Sequence, residues 1–179
     1  MLNNGKSKIE DSFGKLLIEI PSKKNWFILL FAIFWLGGWF FGLKSAVFDF
    51  GIGQTGHAGI DGFMLFWTLG WTAGGLVVIF LIFWGLFGKE TIIIENGVTY
   101  FNKTIFGLGK HKKLDPNQIK NIRLEKIETS IFGGNQWSFW GLGPGKIKLD
   151  YGLKTYSFGL SLDDAEANYI IEIITKKLK

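Results

Sequence analysis

Two stretches of the chain carry no charge at all. Asn25 to Leu43 is a run of 19 uncharged positions and Gly62 to Gly88 a run of 27, both rich in Phe, Trp, Leu and Ile. As an α-helix the first spans roughly 28 Å, close to the ~30 Å hydrocarbon core of a bilayer. The second is long enough to cross with tilt or with its ends among the headgroups. A buried helix of a soluble protein would need a polar stripe or a large surrounding core, and the sequence offers neither. The pattern therefore predicts a transmembrane hairpin over 25–88, with spans at about 25–43 and 62–88 and an outer loop at 44–61. A cleavable signal peptide fits poorly, because the first apolar run starts at position 25 and exceeds an ordinary h-region.

On either side of the hairpin the pattern changes to short alternating runs. Thr91–Ile94 and Val98–Phe101 flank Asn96-Gly97, a strong two-residue hairpin signal. Thr104–Lys113 can supply a third strand, interrupted by Gly107 and Gly109, and Asp115-Pro116 reads as a turn. Further strands are expected within Ile119–Ile127, at Ile147–Tyr151, where Ile147, Leu149 and Tyr151 share a face, and at Lys154–Phe158. The chain then closes with a helix. Ser161 is the expected N-cap, with Asp164 three residues on. Leu162, Ala165, Tyr169, Ile170, Ile173 and Ile174 form its apolar stripe. Its acidic start and its lysines at 176, 177 and 179 both suit the helix dipole. Ahead of the hairpin, Leu16–Ile20 is β-rich and ends at a proline. We expect residues 1–24 to form an N-terminal segment on the same side of the membrane, with this strand joining the sheet of the domain at 89–179.

Composition sharpens this division. The chain has 179 residues, 47% of them hydrophobic and 17% aromatic, yet 20% are charged. Six of the eight Trp and twelve of the eighteen Phe lie between Trp26 and Gly88, whereas every Tyr lies at or beyond Tyr100. The net charge of +5 resides wholly outside the hairpin and comes from 19 Lys against one Arg. Lys15, Lys23 and Lys24 precede the first span and Lys89 follows the second. The positive-inside rule then places both termini in the cytoplasm and the chain in the inner membrane. The absence of Cys excludes disulfides, thiolate metal sites and cysteine nucleophiles.

The two spans also echo each other. Phe31, Phe34, Trp35, Gly38, Trp39 and Gly42 recur as Phe63, Phe66, Trp67, Gly70, Trp71 and Gly74, at a constant offset of 32. Trp35 and Trp39, like Trp67 and Trp71, share a helix face, and the paired glycines lie on a neighbouring one. Small residues at that spacing let helices approach closely. The expectation is packing of the hairpin on itself or on a second copy or another protein.

A two-span hairpin followed by short antiparallel strands and a C-terminal helix resembles the bacterial membrane-anchored pleckstrin-homology-like proteins. The residues that carry the resemblance are Ile-Pro-Ser ahead of Asn25-Trp26-Phe27, the FW…GW segments of both spans, Glu90–Phe101, LDPNQIKNIR at 114–123, and Phe158-Gly159 leading to Ala165. The anchor-plus-domain plan is also loosely similar to a photosystem I assembly factor. The resemblance implies an α+β membrane protein whose PH-like domain is a partly open antiparallel β-barrel with a C-terminal capping α-helix. It implies a binding or scaffolding role, with lipid headgroups or protein as the contact. The alternative is an accessory or assembly subunit of a larger membrane complex.

Candidate contacts are few. Lys110, Lys112 and Lys113 form the densest basic cluster, suited either to anionic headgroups or to guarding a strand edge. Residues 130–145 set Trp137, Phe139 and Trp140 among glycines, so these aromatics either fold back on the domain or meet the membrane or a partner. Asp49, His57 and Asp61 are too scattered for a metal site. No nucleophile–base set, P-loop or cofactor motif is found, so no enzyme activity and no cofactor are expected. A single Arg and no recognition motif argue against nucleic acid.

Overall fold

The computed structural model describes residues 5–49, 58–126 and 136–178, with Asp49, 58–60, Gln136 and Trp137 described by their backbone alone. The chain begins with strands β1 (Lys8–Ser12) and β2 (Lys15–Pro21). Helix α1 (Trp26–Lys44) follows and runs into one π-helical turn (Ser45–Asp49). Helix α2 (Ala58–Phe87) leads directly into β3 (Gly88–Glu95), β4 (Val98–Ile105) and β5 (Leu108–Leu114). A 3-10 turn (Pro116–Gln118) precedes β6 (Ile119–Leu124), and a single helical turn, α3 (Gln136–Phe139), precedes β7 (Ile147–Tyr151) and β8 (Lys154–Phe158). Helix α4 (Asp164–Lys177) ends the fold. Two compact units result. One joins residues 1–25 to 84–179, and the other is the hairpin Trp26–Phe83.

The first unit is α+β. Strands β1 to β5 form an antiparallel sheet in sequence order, and β6, β7 and β8 form a second. β2 enters before the hairpin yet lies inside the first sheet, paired with β3 from Leu16↔Ile94 to Pro21↔Lys89. The alternation of β2 explains why: Leu16, Ile18 and Ile20 are wholly buried. They share one apolar core with Ile92, Ile94, Phe101 and Leu114 of the first sheet. Ile147, Leu149 and Phe158 of the second sheet and Ala167, Ile170 and Ile174 of α4 complete it. The expected partly open barrel is thus two separate sheets around a common core, and the described strands close no barrel. The turns explain where strands stop. Phe13-Gly14, Asn96-Gly97 and Phe106-Gly107 all take positive φ at both positions, as tight hairpin turns with this strand twist require. At α4 the N-cap is Asp163, whose side chain accepts from the Glu166 N–H at 2.8 Å. Ser161, the expected cap, instead donates its hydroxyl to Pro21 O at 2.6 Å and ties the helix start to β2.

In the hairpin, the internal echo becomes a reciprocal contact. Trp39 donates its indole N–H to Trp71 O at 2.8 Å, and Trp71 donates to Trp39 O at 3.3 Å. The two residues are counterparts at the offset of 32, so each copy satisfies the other's polar atom in an otherwise apolar setting. The rings of Trp35 and Trp67 lie 6.4 and 5.8 Å from that of Trp71. The expected close approach at Gly38, Gly70 and Gly74 is not found within the chain: a methyl group at any of them would meet nothing within 4 Å. Gly42 does face the Trp71 ring, but the tightest approach is at Gly75, where an added methyl would overlap the Trp39 indole. The reason is register, which seats the Trp39 ring on the residue after Gly74.

Two outcomes follow for denaturant unfolding of the full chain in detergent. Ile18→Ala should cost ~2–5 kcal/mol, comparable to Ile92→Ala, despite lying ahead of the hairpin. Gly75→Leu should disrupt the hairpin while Gly70→Leu leaves it intact.

Candidate functional site

Both links between the β unit and the hairpin leave from one end of the five-stranded sheet, where Pro21 pairs with Lys89 and Gly88 with Ile105. Ser22 fastens this junction, donating its N–H to Gly88 O at 2.9 Å and its hydroxyl to Gly85 O at 3.0 Å. Aromatic side chains collect at the same end. The ring of Phe106, in the β4–β5 turn, lies 4.5 Å from that of Phe87, and both are substantially exposed. Trp84 donates its indole N–H to Gly141 O at 3.0 Å. Lysines gather there too. Lys6 Nζ donates to Ser161 O at 2.9 Å, and Lys146 pairs with Asp164 at 2.7 Å. The Lys23 pKa lies below the ordinary lysine value, first because burial disfavours the charged form and then because Lys146 and Lys6 repel it.

The segment beyond α3 folds back onto this end. Trp84 bonds to Gly141, and a methyl at Gly141 would come within 2.9 Å of Lys23 O. Ser138 is wholly buried, and the Phe139 ring meets that of Trp140 edge-on at 6.0 Å. The Trp140 side chain nevertheless stays 44% exposed, so a folded-back backbone presents an open indole. The side chain of Trp137, and residues 127–135, lie outside the described residues, as do residues 50–57 with His57.

The basic cluster divides by strand period. β5 pairs with β4 as Phe101↔Lys112 and Lys103↔Lys110, so Lys110 and Lys112 stand on the face that carries buried Phe101, whereas Lys113 stands on the other. Lys103, Lys110 and Lys112 line a cleft of about 300 Å³ together with Phe101, Thr155, Tyr156 and Ser157. Lys112 Nζ lies 4.3 Å above the centre of the Tyr156 ring. Lys103 pairs with the buried Glu90 at 2.6 Å, and the second Glu90 oxygen accepts from the Gly159 N–H at 2.6 Å. Sequence reasoning missed this cleft. The alternating lysines of β5 were visible, but the strand that faces them, β8, lies more than forty residues away in sequence.

Other charged groups serve the fold. Glu166 accepts from the Ser7 N–H at 2.7 Å and hydroxyl at 2.6 Å, binding the N-terminal segment to α4. Asp150 accepts from Thr155, Arg123 and Asn121 at 2.8, 2.7 and 2.9 Å. Among the described residues no three His, Asp or Glu side chains could hold a metal ion. Comparison with protein-family models finds no match, and comparison with curated proteins finds none.

The Asp150 contacts give a pH signature. Hydrogen bonds from Thr155, then Arg123 and Asn121, lower its pKa to about 2. Its stabilising contribution is therefore complete above the ordinary aspartate value and is lost as pH falls toward 2. A carboxyl NMR titration of the full chain should show this midpoint, and Thr155→Val should raise it. An ordinary midpoint in the parent chain contradicts the cluster.

Proposed function

We propose that the chain is a non-enzymatic integral membrane protein. In this reading α1 and α2 cross the inner membrane as a hairpin, and the β unit is a PH-like module held at the cytoplasmic surface with both termini. The observation that carries the reading is the β2–β3 pairing, from Leu16↔Ile94 to Pro21↔Lys89. A sheet built from strands on both sides of the hairpin requires the hairpin to begin and end on one side, which two crossings satisfy.

Further features support it. Both helices are long and apolar enough to cross a membrane, with a mean hydropathy of 2.0. Only 17% and 11% of their most apolar windows are buried, whereas a core helix of a soluble protein would be mostly buried. The sheet end from which the links depart carries Trp84 and Trp140, the residue type that settles at the headgroup level, and the exposed rings of Phe87 and Phe106. Crowded positive charge at Lys6, Lys23 and Lys146 suits anionic headgroups, which attract each surface lysine by about 1 kcal/mol. Two sheets and a C-terminal helix around one core agree with the PH-like layout. The module's role is then placement: it keeps a binding surface within reach of lipid headgroups or of membrane proteins.

Photo-crosslinking tests this with the full chain in vesicles that contain a phospholipid bearing a headgroup diazirine. Adducts are expected at Phe87, Phe106 and Trp140, and not at the turns Phe13-Gly14 and Asn96-Gly97 at the opposite end of the sheet. The chain should also resist extraction by alkaline carbonate. Adducts at the far turns, or release by carbonate, contradict the reading.

A further inference from the structure

We propose that the lysine-lined cleft between the two sheets binds a phosphate-bearing anion. The inference deepens the reading above, since it assigns a ligand to the same module, but the site itself does not require membrane insertion.

The argument starts from strand period. On the inner face of β4 and β5, Thr99 and Leu114 are buried and paired, then Phe101 stands opposite Lys112, then Lys103 opposite Lys110. The face that is apolar in the core thus turns cationic over two successive pairs. Among the described strands β5 is the last of its sheet and β8 the last of the other, so each presents an edge to the cleft. The two-residue turn between Tyr151 and Lys154 makes that pair, and Leu149 with Tyr156, the hydrogen-bonded ones. The N–H groups of Thr155 and Ser157 then point away from β7, along the edge that lines the cleft.

The charge balance favours an anion. Among the described residues the only carboxylate paired with a cleft lysine is Glu90, which Lys103 shares with the Gly159 N–H. Neither Lys110 nor Lys112 has an ion-pair partner among the described residues, and Asp150 is engaged by the Thr155 hydroxyl on the neighbouring strand. Lys110 and Lys112 therefore face the cleft with no ion-pair partner among the described residues, beside Tyr156 and the edge N–H groups of β8. Lysine ammonium groups act on phosphate as point charges, so a tetrahedral anion with oxygens in several directions suits them better than a flat carboxylate. The Phe101 and Tyr156 rings, 6.3 Å apart, lie under the Lys103 and Lys112 ammonium groups, at 5.6 and 4.3 Å, and so hold the two charges at the cleft. Inward lysines can also merely discourage edge pairing. That role needs no cavity and no ligand, so it is separable by binding.

The phosphate can come from an anionic lipid headgroup or from a soluble ester, and one experiment distinguishes them. The full chain in a nonionic detergent is examined by native mass spectrometry and equilibrium dialysis. The probes are phosphatidylglycerol, phosphatidylcholine, glycerol 3-phosphate and inorganic phosphate. Saturable binding of phosphatidylglycerol over phosphatidylcholine is expected if the source is a headgroup, and of glycerol 3-phosphate if it is soluble. Either result supports the site provided that the double variant Lys110→Glu/Lys112→Glu weakens it by about tenfold or more and Lys113→Glu, one residue away on the outer face, does not. Should the double variant misfold, Lys110→Gln with Lys112→Gln replaces it, with circular dichroism as the check. No saturable binding by any probe, or an equal loss with Lys113→Glu, overturns the proposal. Carbonate extraction is scored in parallel, so failure of the anion site in a membrane-resident chain is distinct from failure of the anchor.

Discussion

The pairing of β2 with β3 is the constraint on which the rest of the structure depends. It joins strands that the whole apolar hairpin separates in sequence, and it brings Leu16, Ile18 and Ile20 to complete exclusion from solvent beside Ile92 and Ile94. Closing so long a loop costs little more than closing a short one, because the entropy grows only with the logarithm of length. Burial of three large aliphatic side chains, at roughly 1.5–3 kcal/mol each, exceeds that increment. The β unit is consequently discontinuous. Residues 89–179 alone lack two of the five strands of the first sheet and would expose the inner face of β3 along its edge.

The hairpin meets a different constraint. Apart from Lys44 and Asp61 at their ends, its helices carry no charge, so what orders them is the satisfaction of a few polar atoms and the fit of rings against small residues. The Trp39–Trp71 pair does both, with each indole N–H on the other's backbone carbonyl and the Trp39 ring seated on Gly75. An internal repeat in the sequence is thereby turned into a two-fold contact within one chain. The outward glycines at 38, 70 and 74 are left open, which is where the chain differs from a hairpin that packs only on its small-residue stripe.

Much of this was legible in the sequence wherever a periodic signal was strong. The two uncharged runs gave helices close to their observed bounds, and Asn96-Gly97 marked its turn. The strand ahead of the hairpin could be read from Leu16–Ile20 because its alternation is clean. β1 escaped notice because Lys8–Ser12 is mostly polar and its turn is Phe13-Gly14, an aromatic in a left-handed conformation that few side chains adopt. The same turn chemistry recurs at Phe106-Gly107, so the interruption that the sequence marks at Gly107 is a hairpin turn, and Thr104 and Ile105 end β4 instead of opening the next strand. The candidate site was half visible. Alternating lysines on β5 could be seen, but their division between two faces, and the β8 edge opposite, are tertiary facts. Gly75 rather than Gly74 is of the same kind, since a one-residue register between helices leaves no mark in either helix alone.

The proposed arrangement sets one module, assembled from both flanks of the hairpin, wholly on one side of the membrane. Thiol labelling tests it most directly, because the chain has no cysteine of its own. Single substitutions Lys8→Cys, Lys113→Cys, Lys176→Cys and Gly53→Cys are probed with a membrane-impermeant reagent in right-side-out and inverted vesicles. The first three are expected to react only in inverted vesicles and Gly53→Cys only in right-side-out ones. Reaction of any of the first three from the same side as Gly53→Cys would contradict it.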